Sequence, residues 1–175
     1  MNLAIIPARA GSKRLTKKNV KLFFKKPMLY YSIEAAKKTN LFDKIIVSTD
    51  SLKIKKIAEK QGADVPFLRP KKYSDDLTHF RDSIIHAIKW FERKKIKFKN
   101  ICCIYPTSPL LNYKNIILGF KLLKKTKSYV FSASAYRSPP QRSFFFKSKK
   151  LKLLFEQHYN KRSQDLKQIF HDAGQ

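Results

Sequence analysis

The chain has 175 residues, of which 43% are hydrophobic, so one domain with a real core is expected. A formal net charge of +27 raises nucleic-acid binding as a function. Only eight of the 39 basic residues are Arg, however, and the basic residues are spread along the chain, which fits a codon bias better than a dedicated nucleic-acid face.

The first element is residues 3–6, a four-residue apolar run stopped by Pro7. It reads as a buried strand of a parallel sheet. A loop follows with Arg9, Gly11, Ser12, Lys13, Arg14, Lys18 and Asn19. Gly11 permits a turn and close approach to a ligand. Backbone N–H groups in such a turn suit an anion, Arg forks onto phosphate oxygens and Lys adds point charges. The loop is therefore either a phosphate cradle or a basic surface loop. Neither the P-loop pattern nor the G-x-G-x-x-G fingerprint is present.

Pro27 suits the start of a helix running to about Thr39, with Asn40 able to end it. Residues 44–47 form a second strand leading into Ser48-Thr49-Asp50, where Asp50 reads as a turn residue rather than a catalytic acid. Ser51 can cap a helix to Gln61, and Gly62 suits the position just past its end. Residues 65–68 read as a short third strand. Residues 81–93 read as a helix with Ile84, Ile85, Ile88 and Phe91 on its apolar stripe and His86 packed. Residues 101–105 read as a strand ending at Pro106, with Cys102 and Cys103 on opposite faces. Residues 115–123 are expected to be helical and residues 129–133 to form another strand.

Residues 137–171 break this rhythm with Pro139-Pro140, three consecutive Phe and a Lys run. They read as a hairpin or arm. Phe144, Phe145, Phe146 and Phe155 need cover, from a second subunit or from the same chain. The two adjacent cysteines exclude a disulfide framework, and no metal-type Cys/His spacing occurs. No apolar run approaches the ~18 residues of a membrane helix. Strand-like sequence begins at once, so no signal peptide, no membrane association and a cytoplasmic location are expected.

Alternating strands and helices imply an α/β fold with a mainly parallel sheet, and ligands in such sheets bind beyond the carboxyl ends of the strands. Arg9, Asp50, Arg69 and Tyr105-Pro106-Thr107-Ser108 all follow strand ends.

The segment Ile-Pro-Ala-Arg-Ala-Gly-Ser-Lys13 with Lys18-Asn19 resembles the signature of the CMP-sialic acid synthetase (acylneuraminate cytidylyltransferase) family. Later stretches match in order: Lys26-Pro27-Met28 with Tyr31-Ser32-Ile33, Ile46-Val47-Ser48-Thr49-Asp50, Arg69-Pro70 with Ser74-Asp75-Asp76, and Tyr105-Pro-Thr-Ser-Pro-Leu110. Asn160-Lys-Arg-Ser-Gln-Asp-Leu166 and His171-Asp-Ala-Gly-Gln175 look most like its pseudaminic acid cytidylyltransferase branch.

The resemblance implies a three-layer α/β/α Rossmann-like nucleotidyltransferase fold with an inserted arm. It implies transfer of CMP from CTP to an acidic nine-carbon 2-keto sugar, with Mg²⁺ assisting and a homodimer formed through residues 137–171. Carried over by position, Arg9, Ser12, Lys13, Lys18 and Asn19 would hold the triphosphate, with Arg9 and Lys18 catalytic. Arg69 and Thr78 would lie near ribose and cytosine. Tyr105, Thr107 and Ser108 would border the sugar, and Arg142, Arg162 and Gln164 would complete its site. Two departures stand out within the motifs. Tyr105 stands where the family usually has Gln, which favours pseudaminic acid, and Lys25 replaces a Gly, which implies an altered turn. Family members also continue to an acidic I-D-I-D-T motif associated with the metal. The Mg²⁺ ligands and the last part of the sheet are thus expected outside these residues. The alternatives are a nucleotide-binding remnant without turnover and a basic nucleic-acid-binding domain.

Overall fold

The computed structural model describes residues 1–12, 15–75, 78–126 and 128–174. They divide into two compact units, Met1–Val130 and Phe131–Gly174. The first unit contains β1 (Asn2–Pro7), β2 (Leu22–Phe23), β3 (Lys26–Pro27), α1 (Met28–Lys38), β4 (Lys44–Ser48), α2 (Leu52–Lys60), α3 (Phe80–Arg93), β5 (Asn100–Cys103) and α4 (Tyr113–Thr126). The second contains β6 (Ala133–Ala135), β7 (Phe144–Lys147), β8 (Lys150–Leu153) and β9 (Phe170–Asp172).

β1 is the centre of a parallel sheet of order β4-β1-β5, with Ile5 opposite Ile46 on one side and Cys103 on the other. Leu3, Ala4, Ile5 and Ile6 are all fully buried, because helices cover both faces. The two-residue strand period sorts them. Ala4 and Ile6 pack with Leu29 and Ile33 of α1 and Ile54 and Ala58 of α2. Leu3 and Ile5 pack with Ala87 and Phe91 of α3. The result is the expected α/β/α layering.

The helix ends follow their local chemistry. Asn40 adopts φ 52° just past α1, the left-handed conformation that stops a helix. Ser51 Oγ accepts the N–H of Ile54 at 3.4 Å, and Gly62 lies at φ 83° beyond α2. β2 and β3 form a ribbon closed by Phe24 (φ 42°) and Lys25 (φ 64°). Lys25 therefore keeps the backbone that glycine favours, at a steric cost of roughly 1–2 kcal/mol.

Several expectations differ from the structure. Residues 65–68 form no strand. Pro66 has no N–H to donate, and only single bridges, Ile46 to Asp64 and Thr49 to Leu68, tie this stretch to the sheet. β5 ends at Cys103, before Tyr105. Ile85 is exposed, and the core-facing stripe of α3 runs through the half-buried Ile84 and Ile88 and the buried Ala87 and Phe91, as a 3.6-residue period requires. Residues 129–133 are not a buried strand. Tyr129 is 98% exposed, and the chain enters a ladder only at β6, which pairs antiparallel with β9.

In the second unit β7 and β8 form an antiparallel hairpin, Phe144 opposite Leu153. Phe144 and Phe146 share one face, ring centroids 6.0 Å apart, and both are exposed. Phe155 is half-buried. Burial pushes the thiols of the half-buried Cys102 and Cys103 up to about 11 and about 12. Among the described residues no helix is long and apolar enough to cross a membrane.

Candidate functional site

A cavity of about 800 Å³ lies in the first unit, beyond the carboxyl ends of β1 and β5. This falls within the roughly 300–1,000 Å³ of small-molecule sites, at the place where parallel α/β sheets bind ligands. Arg9, Ser12, Lys18, Asn19, Arg69, Thr78, Tyr105 and Thr107 all line it. These are eight of the residues singled out in the sequence, brought together from three stretches of chain.

The loop after β1 is tied down on both sides. Ala8 N–H donates to Ser48 O at 2.9 Å, and Ala10 N–H donates to Asp50 Oδ1 at 2.8 Å. Asn19 is buried, and its Nδ2 donates to Arg9 O at 2.8 Å. Arg9 Nη1 donates to Asp75 O at 2.8 Å, which links this loop to the segment before α3. Gly11 is not in the left-handed region, and a Cβ added there would meet nothing within 4 Å. The turn itself therefore does not need glycine; only a ligand's approach gives that position a steric reason.

The opposite wall begins at Arg69, only 5% exposed. Its backbone N–H donates to Thr49 O at 2.7 Å and its Nε donates to Ser74 Oγ at 3.0 Å. Burial lowers its pKa, the charge of Asp50 opposes that, and the charge of Arg9 adds to it. Two guanidinium groups acting on each other beside one cavity are relieved by an anion between them. Thr78 is held by Asp75, whose Oδ1 accepts from both its N–H and its Oγ1–H at 2.6 Å. The segment after β5 is fixed from α1, where the buried Ser32 Oγ–H donates to Tyr105 O at 2.7 Å. The Tyr105 ring packs edge-on against Phe80, centroids 5.6 Å apart.

Other expected residues lie elsewhere. Ser108 is buried and does not line the cavity; its carbonyl accepts the Leu111 N–H at 3.1 Å. Lys13 lies outside the described residues. Arg142, Arg162 and Gln164 belong to the second unit. There Arg142 donates to Lys161 O, Arg162 pairs with Asp165 at 2.9 Å, and Gln164 is exposed in a short 3₁₀ turn.

Sequence reasoning missed Tyr73, Asp75, His79, Phe80 and Ser83, which also line the cavity. Asp75 carried a signal, since it lies in the Ser74-Asp75-Asp76 stretch that matches the family's motifs in order. Tyr73 and Phe80 carried none, because no periodicity marks an aromatic residue that faces a cavity. His86 is packed as expected, between Phe67 and Tyr73 at 4.9 Å from each. Burial lowers its pKa, and the charges of Arg69, Arg93 and Lys72 lower it further. Among the described residues no group of three or more His, Cys, Asp or Glu could hold a metal ion.

A parallel α/β sheet with Arg9, Lys18 and Arg69 lining a cavity at its strand ends has the architecture of an α/β ligand-binding domain and the charge to attract an anion. The chain belongs to the cytidylyltransferase family, whose profile matches residues 3–175. It is 40% identical over 99% of its length to a pseudaminic acid cytidylyltransferase of Campylobacter jejuni, of which it covers 75%. It is 36% identical over 79% of its length to a CMP-N,N'-diacetyllegionaminic acid synthase of Legionella pneumophila, of which it covers 60%. A solved CMP:2-keto-3-deoxy-manno-octonic acid synthetase complexed with CTP shares the fold, with a TM-score of 0.69 at 14% identity, over 99% of this chain and 71% of that one. The family resemblance read from the motifs is thus borne out.

Proposed function

We propose that this chain transfers CMP from CTP to a nine-carbon 2-keto acid sugar, pseudaminic acid being favoured, for surface glycan biosynthesis. The observation that carries the reading is the convergence of Arg9, Ser12, Lys18, Asn19, Arg69, Thr78, Tyr105 and Thr107 on one cavity. The 40% identity to a pseudaminic acid cytidylyltransferase supports the choice of sugar, as does Tyr105 in place of the Gln usual in sialic acid synthetases.

The anomeric hydroxyl of the sugar attacks the α-phosphorus of CTP. An O–P bond forms, the bond to the bridging oxygen breaks, pyrophosphate leaves and the hydroxyl proton passes to solvent. Such chemistry needs positioning and charge neutralisation above all. Arg9 and Lys18 take up the phosphoryl charge, with Ser12, Lys13 and Asn19 holding the triphosphate. Arg69 and Thr78 lie towards the ribose and base. Tyr105 and Thr107 border the sugar. Mg²⁺, when bound to the triphosphate, supplies further neutralisation; no step is assigned to it, since the described residues gather no carboxylate set. Residues 137–171 act as the dimerisation arm of a cytoplasmic homodimer.

Pyrophosphate release tests the reading, measured with CTP, Mg²⁺ and pseudaminic acid against N-acetylneuraminate, beside a CTP thermal shift. Release with pseudaminic acid in preference is the expected result. A CTP shift without release under any sugar overturns turnover and leaves a nucleotide-binding remnant. No CTP shift, with tight sequence-selective nucleic-acid binding at physiological salt, overturns the nucleotide reading altogether.

A further inference from the structure

Parallel strands β1 and β4 end side by side, with Pro7 opposite Ser48. Their ladder continues one step further, through Ala8 N–H to Ser48 O at 2.9 Å. In a parallel ladder the next such bond would join the N–H of residue 10 to the carbonyl of residue 50. Here Ala10 N–H instead donates to the side chain of Asp50, at 2.8 Å. The carboxylate continues the ladder while the backbone of Asp50 turns away into α2, where Ser51 caps the helix. A charged acceptor makes this a stronger bond than the one it replaces.

The same carboxylate acts on the other wall of the cavity. Asp50 is the negative charge that offsets the burial of Arg69, while Arg9 opposes it. Arg69 is also held at the end of β4 by its own N–H to Thr49 O. One side chain therefore touches the backbone of the loop bearing Arg9 and Ser12 and balances the buried cation facing that loop.

We infer that Asp50 is a positioning residue for triphosphate binding: by accepting the Ala10 N–H it holds in place the loop that carries the groups of Arg9 and Ser12. Asp50 does not line the cavity, so it acts through these groups and not on the ligand. The inference rests on the reading of the cavity as a CTP site.

The test compares Asp50→Ala, Asp50→Asn and Asp50→Glu with the unaltered chain, titrated with CTP and separately with cytidine. Asp50→Ala should weaken CTP binding roughly tenfold or more, the scale of one hydrogen bond to a charged group, and leave cytidine binding unchanged. Asp50→Asn keeps an acceptor in place and should recover most of the lost affinity, whereas Asp50→Glu moves the acceptor by one methylene and should not. A role confined to folding would lower the melting temperature while CTP and cytidine affinities stayed the same or fell together. That outcome overturns the inference, as does unchanged CTP binding in Asp50→Ala. Should Asp50→Ala not fold, the Asn and Glu variants decide it, and equal CTP affinity in the two overturns it. If the unaltered chain binds no CTP, the reading of the cavity fails instead.

Discussion

Replacing Arg69 by Met keeps most of the side-chain volume and removes the charge. Two effects oppose each other in the ligand-free protein. The bond from Nε to Ser74 Oγ at 3.0 Å is lost, costing about 1 kcal/mol. Against this, a cation only 5% exposed no longer has to be desolvated, the largest effect on Arg69; the attraction of Asp50 offsets part of that cost and the repulsion of Arg9 adds to it. The ligand-free melting temperature should therefore stay level or rise. CTP binding should move the other way. A charge-assisted hydrogen bond to the ribose or base contributes about 1.5–3 kcal/mol, so Kd should weaken roughly 10- to 150-fold. At a CTP concentration about 100 times the unaltered Kd, binding stabilises the protein by about 2.7 kcal/mol, and a ~30-fold weaker Kd leaves about 0.9 kcal/mol. At about 2–4 °C per kcal/mol, the CTP-induced shift should shrink from roughly 5–11 °C to roughly 2–4 °C. Differential scanning fluorimetry with and without CTP reads both quantities. A ligand-free fall of more than about 5 °C makes Arg69 a structural strut, and an undiminished CTP shift removes it from the ligand.

Four further outcomes are expected. Gly11→Ala should leave ligand-free melting unchanged, because its Cβ meets nothing within 4 Å, yet weaken CTP in calorimetry; equal affinity would mean that no phosphate approaches that backbone. Lys25→Gly should raise stability in urea by about 1 kcal/mol by relieving φ 64°, and no gain would show the strain to be absent. The lowered pKa of His86 means that the unfolded chain takes up the proton first. Its contribution is therefore present above the unfolded value of about 6.5 and is lost as pH falls through the native one. His86→Phe should melt with less difference between pH 7.5 and 5.5 than the unaltered chain, and an equal difference would remove His86 from the acid response. Phe144→Ser with Phe146→Ser should convert a dimer to the 20.6 kDa monomer in light scattering; a persisting dimer, or an unaltered chain that is already monomeric, rules that face out as the interface.

What was legible in the fold is what local chemistry decides. Four consecutive apolar residues, 3–6, announced a strand covered on both faces, and each of them is fully buried. Ser51 and Gly62 marked the ends of α2 because a cap and a left-handed residue are local requirements. The misread stretches were those whose state depends on a neighbour. Residues 129–133 have a strand-like composition, but pairing begins only at Ala133, whose partner Asp172 lies far along the chain. Ile85 is as apolar as Ile84, and only the angle around α3 separates the exposed side chain from the packed one.

The cavity was legible for a different reason. In a parallel sheet every strand points the same way, so residues following separate strands must meet at one end. That rule alone brings Arg9 and Tyr105 to a common cavity from the ends of β1 and β5. It says nothing of the wall between Arg69 and Ser83, which follows no strand. That wall is shaped by bonds within one loop, Arg69 to Ser74 and Asp75 to Thr78, and by Arg9 reaching across to Asp75 O. The position of Asp50 was legible as a turn, but its bond to Ala10 was not. A carboxylate standing in for a backbone carbonyl leaves no mark on hydrophobic pattern or spacing. Where the ladder ends and side chains take over its hydrogen bonds, motif spacing shows which residues gather, and only the geometry shows which of them hold the others in place.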